Sequence, residues 1–368
     1  MKLVNETPFQ AGWNAGFQSD GREVVVVVAK ATYNFTSESG QGPVISVEQV
    51  PLLETDVFGE DPAFDAPLAE NDFGLYKPAC DVLVRGCAYA PHGRPTKEVP
   101  VGIRVASCTK SFVVVGPRVW QRSALATRKT SSKAFIEQEI SYNTAFGGTD
   151  IHPGDPSRIL SFSPNPVGTG FCAFDENIDQ MPLPTSEETS NRVTDPSGKY
   201  KPMALGPVGR NWDPRYKFAG TYDDEWLQEK VPLLPDDFNN LYYQAAPADQ
   251  QIPHPQGGEP IVLVNLSPEG RIQTSIPQEG VYVTFITKAG DLAPIAANLD
   301  TIVLDTQANR MCLTWRCSRP MDRDVFELKE MLVEQRTRYS GARVRARVKG
   351  KDFYPGLDAL VKVKRKKK

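Results

Sequence analysis

The chain has 368 residues, of which 40% are hydrophobic and 24% are charged, a composition typical of a globular protein with a sizeable core. This composition excludes wholesale disorder, and the longest apolar run, at 24–29, is far too short to span a bilayer. The first ten residues lack the apolar stretch of a secretory signal, and the six cysteines are too scattered for a disulfide framework or a zinc site. We therefore expect a cytoplasmic protein with free thiols and without a membrane partner.

Charge is distributed unevenly along the chain. Residues 336–368 contain thirteen Lys or Arg and two Asp or Glu, a local net charge of +11. Because the whole chain carries −3, residues 1–335 carry −14. This asymmetry predicts a basic tail that steers an acidic partner or folds back onto the acidic body. The run at 362–368 has no interleaved aromatic residues to stack bases, which argues against a nucleic-acid partner.

Strand-like periodicity dominates the sequence. The segment at 24–35 opens as a continuous β-branched run, which predicts a strand buried on both faces at its start. Turn signals at 91–95 and 107–110 separate three segments that we interpret as an antiparallel meander, and the link at 268–270 predicts a hairpin. The predicted strands are 24–35, 80–90, 99–105, 111–116, 260–266, 271–276, 281–288, 301–305 and 310–316.

Helix signals are few. Residues 236–246 begin with two aspartates after a proline, which predicts a short helix. Residues 322–338 carry a long amphipathic pattern, with Val325, Leu328 and Leu332 near one face, and predict a longer helix. The segment ARVRARV at 342–348 alternates with a period of two and predicts an edge strand with one basic face.

These patterns predict a mainly β fold in which antiparallel sheets form a sandwich or a barrel. The segment at 147–214 interrupts the pattern with ten prolines in 68 residues, which predicts a long Pro/Gly-rich loop excursion. We expect one large β-rich domain at 1–335 and a basic C-terminal tail at 336–368.

The sequence contains no recognisable catalytic motif. It has three histidines, none in a nucleophile context, and it lacks Walker-type, Rossmann-type and zinc-protease patterns. The glycine-rich pieces at 146–148 and 165–170 predict turns with positive φ rather than phosphate cradles, because neither opens a helix after a strand. The acidic residues at 56–72 lack EF-hand spacing and predict a solvated loop. We therefore expect no enzyme activity, no cofactor and no metal site.

The block at 211–226 concentrates aromatic side chains among carboxylates. One interpretation is a protein-binding surface, because Trp, Tyr and Arg supply most interface hot spots. A second is the packing of the long excursion against a sheet, and a third is a carbohydrate-hydrolase cleft in which two carboxyls act as acid and base. The candidate partner-binding residues are Trp212, Arg215, Tyr216, Tyr222 and Trp226.

Several further blocks, together with this one, resemble a bacterial family of unknown function that is encoded beside type VI secretion genes. The resemblance covers about residues 1–290 and depends on many blocks in the same order. The blocks are DVFGEDP at 56–62, DFGLYKPACDV at 72–82, AYAPHGRP at 88–95, YNTAFGG at 142–148, NPVGTGF at 165–171, AGTYDDEW at 219–226, the segment at 235–250 and GGEP at 257–260.

The resemblance implies a cytosolic adaptor or chaperone. Members of this family are similar to partners of toxins that carry a PAAR-type spike-tip domain, and they help to load these toxins onto the secretion spike. The family has no agreed catalytic residues to transfer. The resemblance therefore implies a PAAR-type toxin and a spike protein as partners, and it leaves the oligomeric state open.

Overall fold

The computed structural model describes residues 1–35, 42–335, 340–358 and 361. Strands hold 38% of the residues and helices 11%, which confirms the predicted mainly β fold. In the described part of the chain, no helix is both long enough and apolar enough to cross a membrane.

Short and long strands follow one another along the described residues, with three α-helices among them. The first thirteen strands are β1 (Lys2–Asn5), β2 (Gln10–Phe17), β3 (Glu23–Asn34), β4 (Val44–Ile45), β5 (Val57–Phe58), β6 (Pro67–Ala69), β7 (Cys80–Arg85), β8 (Cys87–Tyr89), β9 (Glu98–Val105), β10 (Cys108–Val115), β11 (Trp120–Arg122), β12 (Thr127–Lys129) and β13 (Glu137–Glu139). The next thirteen are β14 (Phe146–Gly147), β15 (Thr149–Ile151), β16 (Ile159–Ser161), β17 (Thr169–Gly170), β18 (Ser186–Glu187), β19 (Gln251–Ile252), β20 (Pro260–Val264), β21 (Arg271–Ser275), β22 (Val281–Thr287), β23 (Leu292–Ala296), β24 (Asn298–Asp305), β25 (Arg310–Pro320) and β26 (Leu328–Gln335). The α-helices are α1 (Asp213–Tyr216), α2 (Asp224–Glu229) and α3 (Ser340–Val348).

Three large sheets enclose the main core. The seven-stranded sheet has the order β19-β7-β24-β25-β3-β2, with β4 against β3, and it faces a five-stranded sheet (β18-β10-β9-β20-β21) and a four-stranded sheet (β1-β26-β22-β23). Side chains from all three sheets meet in this core, such as Val27 on β3, Ile103 on β9 and Val283 on β22. The sheets are open at their edges and none closes into a barrel. Of the two predicted architectures, the structure therefore contains the sandwich and not the barrel.

Strand β3 is buried on both faces, as its opening run of valines predicts. Val25 and Val27 point into the main core, whereas Val24, Val26 and Val28 contact a second cluster. That cluster is completed by Leu52, Phe73 and Leu75, which belong to the segment between β4 and β7. This segment therefore covers the outer face of the seven-stranded sheet, and polar residues of the same face are enclosed with it.

The predicted strands are present, but the predicted meander is wrong. Strands β9 and β10 form a hairpin, whereas β7 leaves them and pairs in parallel with β24 in the seven-stranded sheet. Strands β20 and β21 form the predicted hairpin. Local turn signals identify the strand ends, but the partner of β7 is more than 200 residues away in sequence and no local pattern specifies it.

Three further segments differ from their predictions. Residues 236–246 contain a 3-10 helix at Asn240–Tyr243 in place of an α-helix starting at 236. Residues 322–338 contain a 3-10 turn at Val325–Glu327 and strand β26 in place of a long helix. The predicted edge strand at 342–348 is part of helix α3. Residues 336–339, 359–360 and 362–368 of the predicted basic tail lie outside the described residues.

The excursion at 147–214 is built from short paired segments. Strands β14 and β17 pair in parallel, and β15 pairs with β16. Gly147 and Gly148 have φ values of +152° and +116°, which confirms the predicted positive φ, although Gly147 belongs to β14 and Gly148 links β14 to β15 instead of forming a turn. A Cβ atom on Gly147 would lie 2.2 Å from the carbonyl oxygen of Asn165, so only glycine allows this close approach of the two glycine-rich pieces.

Candidate functional site

The inner half of the 211–226 block is buried. Trp212 is 3% exposed and belongs to a small cluster with Tyr142 and Val208. Its ring meets the Tyr142 ring edge to face, with centroids 5.4 Å apart. Trp212 is a predicted partner-surface residue, and the structure corrects this prediction: the side chain packs the excursion onto the body.

Arg215 is also buried, at 4% exposure. Its guanidinium donates to the carbonyl oxygen of Val208 at 2.9 Å and to that of Tyr242 at 3.0 Å, and it forms an ion pair with Glu70 at 2.5 Å. A planar guanidinium suits this role because its donors point in fixed directions. Arg215 is therefore an internal clamp, which corrects its prediction as a partner-binding residue.

Glu70 is the centre of a buried ion-pair network that holds the block in place. Besides Arg215, its carboxylate lies 2.8 Å from Arg210 and 3.8 Å from Lys77. Arg210 also binds Asp56, with a distance of 2.7 Å from Nε to the carboxylate. The predicted solvated acidic loop is thus wrong for Asp56 and Glu70, because both are bound to cations of the block and its surroundings.

Of the other acidic residues of that loop, Glu60 and Asp61 are exposed as predicted, whereas the prediction is also wrong for Asp72. Asp72 is buried and binds Lys30 at 2.8 Å. Asp65 accepts the backbone N–H groups of Glu60 and Asp61, and these hydrogen bonds lower its pKa. Among the described residues, no group of three or more His, Cys, Asp or Glu side chains is arranged to hold a metal ion.

The outer half of the block is exposed and lies around helix α2. Tyr222 is 53% exposed, and its ring meets that of the half-buried Trp226 at 4.6 Å between centroids. The indole N–H of Trp226 donates to the carbonyl oxygen of Leu233 at 3.0 Å, which fixes its orientation. Leu227 and Val231 extend the exposed apolar area, at 61% and 49% exposure. We call Tyr222, Trp226, Leu227 and Val231 the α2 patch.

The remaining candidate residue, Tyr216, is exposed at the end of helix α1. It follows the buried Arg215 directly, and its side chain is 66% exposed. The structure therefore divides the five candidates: Trp212 and Arg215 anchor the block, whereas Tyr216, Tyr222 and Trp226 lie at or near its surface. Partner binding by these three stays a prediction.

The carboxylates of the block do not need a catalytic explanation. Asp223 is the N-cap of α2 and accepts the backbone N–H of Trp226 at 2.9 Å. Asp213, Asp224 and Glu225 are exposed to solvent. The hydrolase alternative requires two carboxyls that flank a bound sugar in a cleft, and it stays a prediction.

A cavity of about 130 Å³ lies between the outer face of the seven-stranded sheet and the segment that covers it. Lys30, Lys77 and Arg316 line this cavity, and each is bound to a carboxylate of the chain. Thr314 also lines it. The space is polar and large enough to hold water molecules.

The comparisons with known proteins place this architecture in a family. A family model described as "Uncharacterized protein conserved in bacteria (DUF2169)" matches residues 20–316. The chain belongs to the DUF2169 family. No curated protein and no solved structure matches the chain. The resemblance inferred from the sequence blocks covers about residues 1–290, so this match both begins and ends later in the chain. It includes the whole 211–226 block.

The DUF2169 region contains a polar latch that the sequence analysis missed. Asp81 on β7 is 0% exposed and binds Lys77 at 2.7 Å. Its carboxylate also accepts the side-chain amide of Gln244 at 2.7 Å and the backbone N–H groups of Ala245 and Ala246 at 2.8 and 3.1 Å. Both segments belong to the sequence blocks that carry the family resemblance, at 72–82 and 235–250. This shared membership is the signal that could have pointed to the latch.

The ion pair between Asp56 and Arg210 in this DUF2169 site leads to a prediction about how stability depends on pH. Burial alone would raise the pKa of Asp56, but hydrogen bonds from Arg210 and from the N–H of Asn71 outweigh it and hold the pKa below its ordinary value. The pair therefore stabilises the fold above the ordinary pKa of Asp, and this contribution disappears as the pH falls through the lowered pKa. We expect Asp56→Asn to lower the urea midpoint at pH 7 more than at pH 3.

The control for this experiment is Asp224→Asn, which changes an exposed carboxylate of α2. Its urea midpoint should follow that of the unaltered chain at both pH values. A difference between Asp56→Asn and the unaltered chain that stays constant from pH 7 to pH 3 would contradict the assigned pKa shift.

Proposed function

We propose that this member of the DUF2169 family is a cytoplasmic adaptor or chaperone without enzyme activity, which binds a toxin with a PAAR-type domain and helps to load it onto the type VI secretion spike. The proposal is supported by the ordered blocks of sequence that resemble the family encoded beside type VI secretion genes. The α2 patch is the surface that we assign to the toxin.

The observation that carries this assignment is an exposed aromatic surface on a firmly anchored support. The α2 patch presents Tyr222 and Leu227 to solvent, and Tyr216 of the same block is also exposed. The block behind it is held by the buried Arg215 and its ion pair with Glu70. A surface whose support is already ordered loses little conformational entropy on binding, which favours affinity.

The test begins with identification of the client. The full chain is co-expressed with the products of its neighbouring genes, and the proteins that co-purify with it are identified. We expect a PAAR-type toxin among them. Co-purification of none of these products, or turnover of a glycan, ester or peptide library by the purified chain, would contradict the adaptor proposal.

The second step assigns the surface. Tyr222→Ala and Leu227→Asp should each weaken the toxin complex by about thirtyfold, since a hot-spot truncation costs about 2 kcal/mol of binding free energy. Titration calorimetry measures the Kd, and thermal melting confirms that both variants fold. The matched control is Phe326→Ala, which removes a 73% exposed aromatic side chain outside the block. If Phe326→Ala weakens binding as much as Tyr222→Ala, the α2 patch is not the toxin site.

A further inference from the structure

Helix α3 is bound to the body of the protein by two arginines that lie one helical turn apart. Arg347 pairs with Glu6 at 2.6 Å and with Glu330 at 2.8 Å. Arg343 lies 3.4 Å from Glu6 and 3.7 Å from Glu334. The helical period explains the arrangement, because residues four apart share one side of a helix. Part of the basic tail therefore folds back onto the acidic body.

The surface beneath α3 is the outer face of the four-stranded sheet. On β26, Met331 and Val333 point into the main core, so Glu330, Leu332 and Glu334 point outward. Leu332 is nevertheless 0% exposed, and the two glutamates that bind the arginines of α3 lie two residues before and two residues after it. The ion pairs thus place helix α3 over the part of β26 that contains Leu332.

Neighbouring strands widen the apolar centre of this surface. Leu332 pairs with Val4 on β1 and with Thr284 on β22, and Thr284 is 2% exposed. The result is an apolar centre with carboxylates around it. We call this surface the acidic strip, and it consists of Glu6, Glu330, Leu332 and Glu334, with Val4 and Thr284 beside Leu332.

Helix α3 satisfies the acidic strip only in part. Glu334 is 1% exposed, and its Oε1 atom lies 3.7 Å from Arg343, too far for a hydrogen bond, and accepts none in the described part of the chain. Burial and the neighbouring Glu6 raise the pKa of Glu334, and the two arginines of α3 offset this rise only in part. Of the helix residues whose burial is described, Val344 alone is buried. A buried acceptor without a hydrogen-bond donor destabilises the arrangement that buries it, which here is the packing of α3 on this surface.

We propose that the acidic strip is a binding site for a basic amphipathic helix of a partner protein, and that α3 is a resident helix that such a partner displaces. The partner helix carries two arginines four residues apart with a small apolar residue beside them, as α3 carries Arg343, Val344 and Arg347. It gains affinity over α3 by donating a hydrogen bond to Glu334. Nucleic acids and anionic membranes are repelled by the carboxylates. This proposal does not depend on the α2 patch or on the toxin.

The experiment uses the full chain and a fluorescein-labelled peptide with the sequence of residues 336–358, whose binding is followed by fluorescence anisotropy. In the unaltered chain α3 competes at the high effective concentration of a tethered segment. Arg343→Gln/Arg347→Gln releases α3, so this variant should bind the peptide at least about tenfold more tightly than the unaltered chain does. Val344→Asp, which puts a carboxylate at the buried position of α3, should act in the same direction.

The matched control is Arg345→Gln/Lys349→Gln, which removes the same charge from exposed positions without ion pairs in the described part of the chain. Its affinity for the peptide should equal that of the unaltered chain. Adding Glu6→Gln/Glu334→Gln to the Arg343→Gln/Arg347→Gln variant should abolish the gain. The proposal is overturned if Arg343→Gln/Arg347→Gln binds the peptide no more tightly than the control Arg345→Gln/Lys349→Gln does. It is also overturned if the gain in affinity persists after Glu6→Gln/Glu334→Gln is added. A melting curve for each variant confirms that its body is folded.

Discussion

Replacing Asp81 with alanine is expected to lower the free energy of unfolding by about 3–5 kcal/mol, the range observed when one partner of a buried ion pair is removed. The carboxylate is 0% exposed and binds Lys77 at 2.7 Å. Its loss leaves this buried ammonium with Glu70 at 3.8 Å as its nearest remaining carboxylate partner. It also leaves the amide of Gln244 and two backbone N–H groups without their acceptor.

Urea unfolding followed by tryptophan fluorescence measures this effect. The matched control is Asp224→Ala, an equal truncation at an exposed position of α2, which should change the free energy of unfolding by less than about 0.5 kcal/mol. Asp81→Asn keeps one acceptor oxygen and should fall between the two. A loss below about 1 kcal/mol for Asp81→Ala would mean that the latch does not hold the 244–246 segment to β7.

The strands could be predicted from sequence because their burial leaves a local signal. Strand β3 carries β-branched residues on both faces, and both faces are buried, so composition alone identifies it. The pairing of β7 with β24 could not be predicted, since it joins segments far apart in sequence. The positive φ values at Gly147 and Gly148 could be predicted because a left-handed backbone conformation is a local preference of glycine.

The C-terminal errors have one physical origin, which is the packing of α3 onto β26. The ion pairs of Arg343 and Arg347 place α3 on the outer face of the strand, where Leu332 is buried, while Met331 and Val333 are buried on the opposite face. The period of two is therefore lost, and the remaining leucines four residues apart imitate a helix. In α3 the alternating arginines imitate a strand, yet Arg343 and Arg347 bind the body while Arg345 is exposed.

The candidate site could be predicted only by residue type. Aromatic composition identified the 211–226 block, but it could not separate the buried Trp212 from the exposed Tyr216 one helical turn later. That separation depends on Glu70 and Tyr142, which contact the block from distant parts of the sequence. The latch at Asp81 was missed for a similar reason. No sequence pattern singles out its partners, which come together only in the folded chain.

Trp212→Ala is the second substitution with a large expected effect, because it tests whether the block is an anchored support. Trp212 is 3% exposed and packs against Tyr142, Val208 and Ala204. Truncation of a buried tryptophan leaves a cavity and costs about 3–5 kcal/mol of stability. We expect a lower urea midpoint and faster proteolysis within the excursion at 147–214, since the cluster joins this segment to the body.

Tyr216→Ala is the matched control for Trp212→Ala, because it removes an aromatic ring from the same short segment at a position that is 66% exposed. Its stability should stay within about 0.5 kcal/mol of the unaltered chain. The two variants thus separate the anchoring role of the inner half from the surface role of the outer half, before any partner is added. If Trp212→Ala unfolds at the same urea concentration as Tyr216→Ala, the inner half is not an anchor. The α2 patch would then lack the ordered support on which its assignment as a binding surface depends.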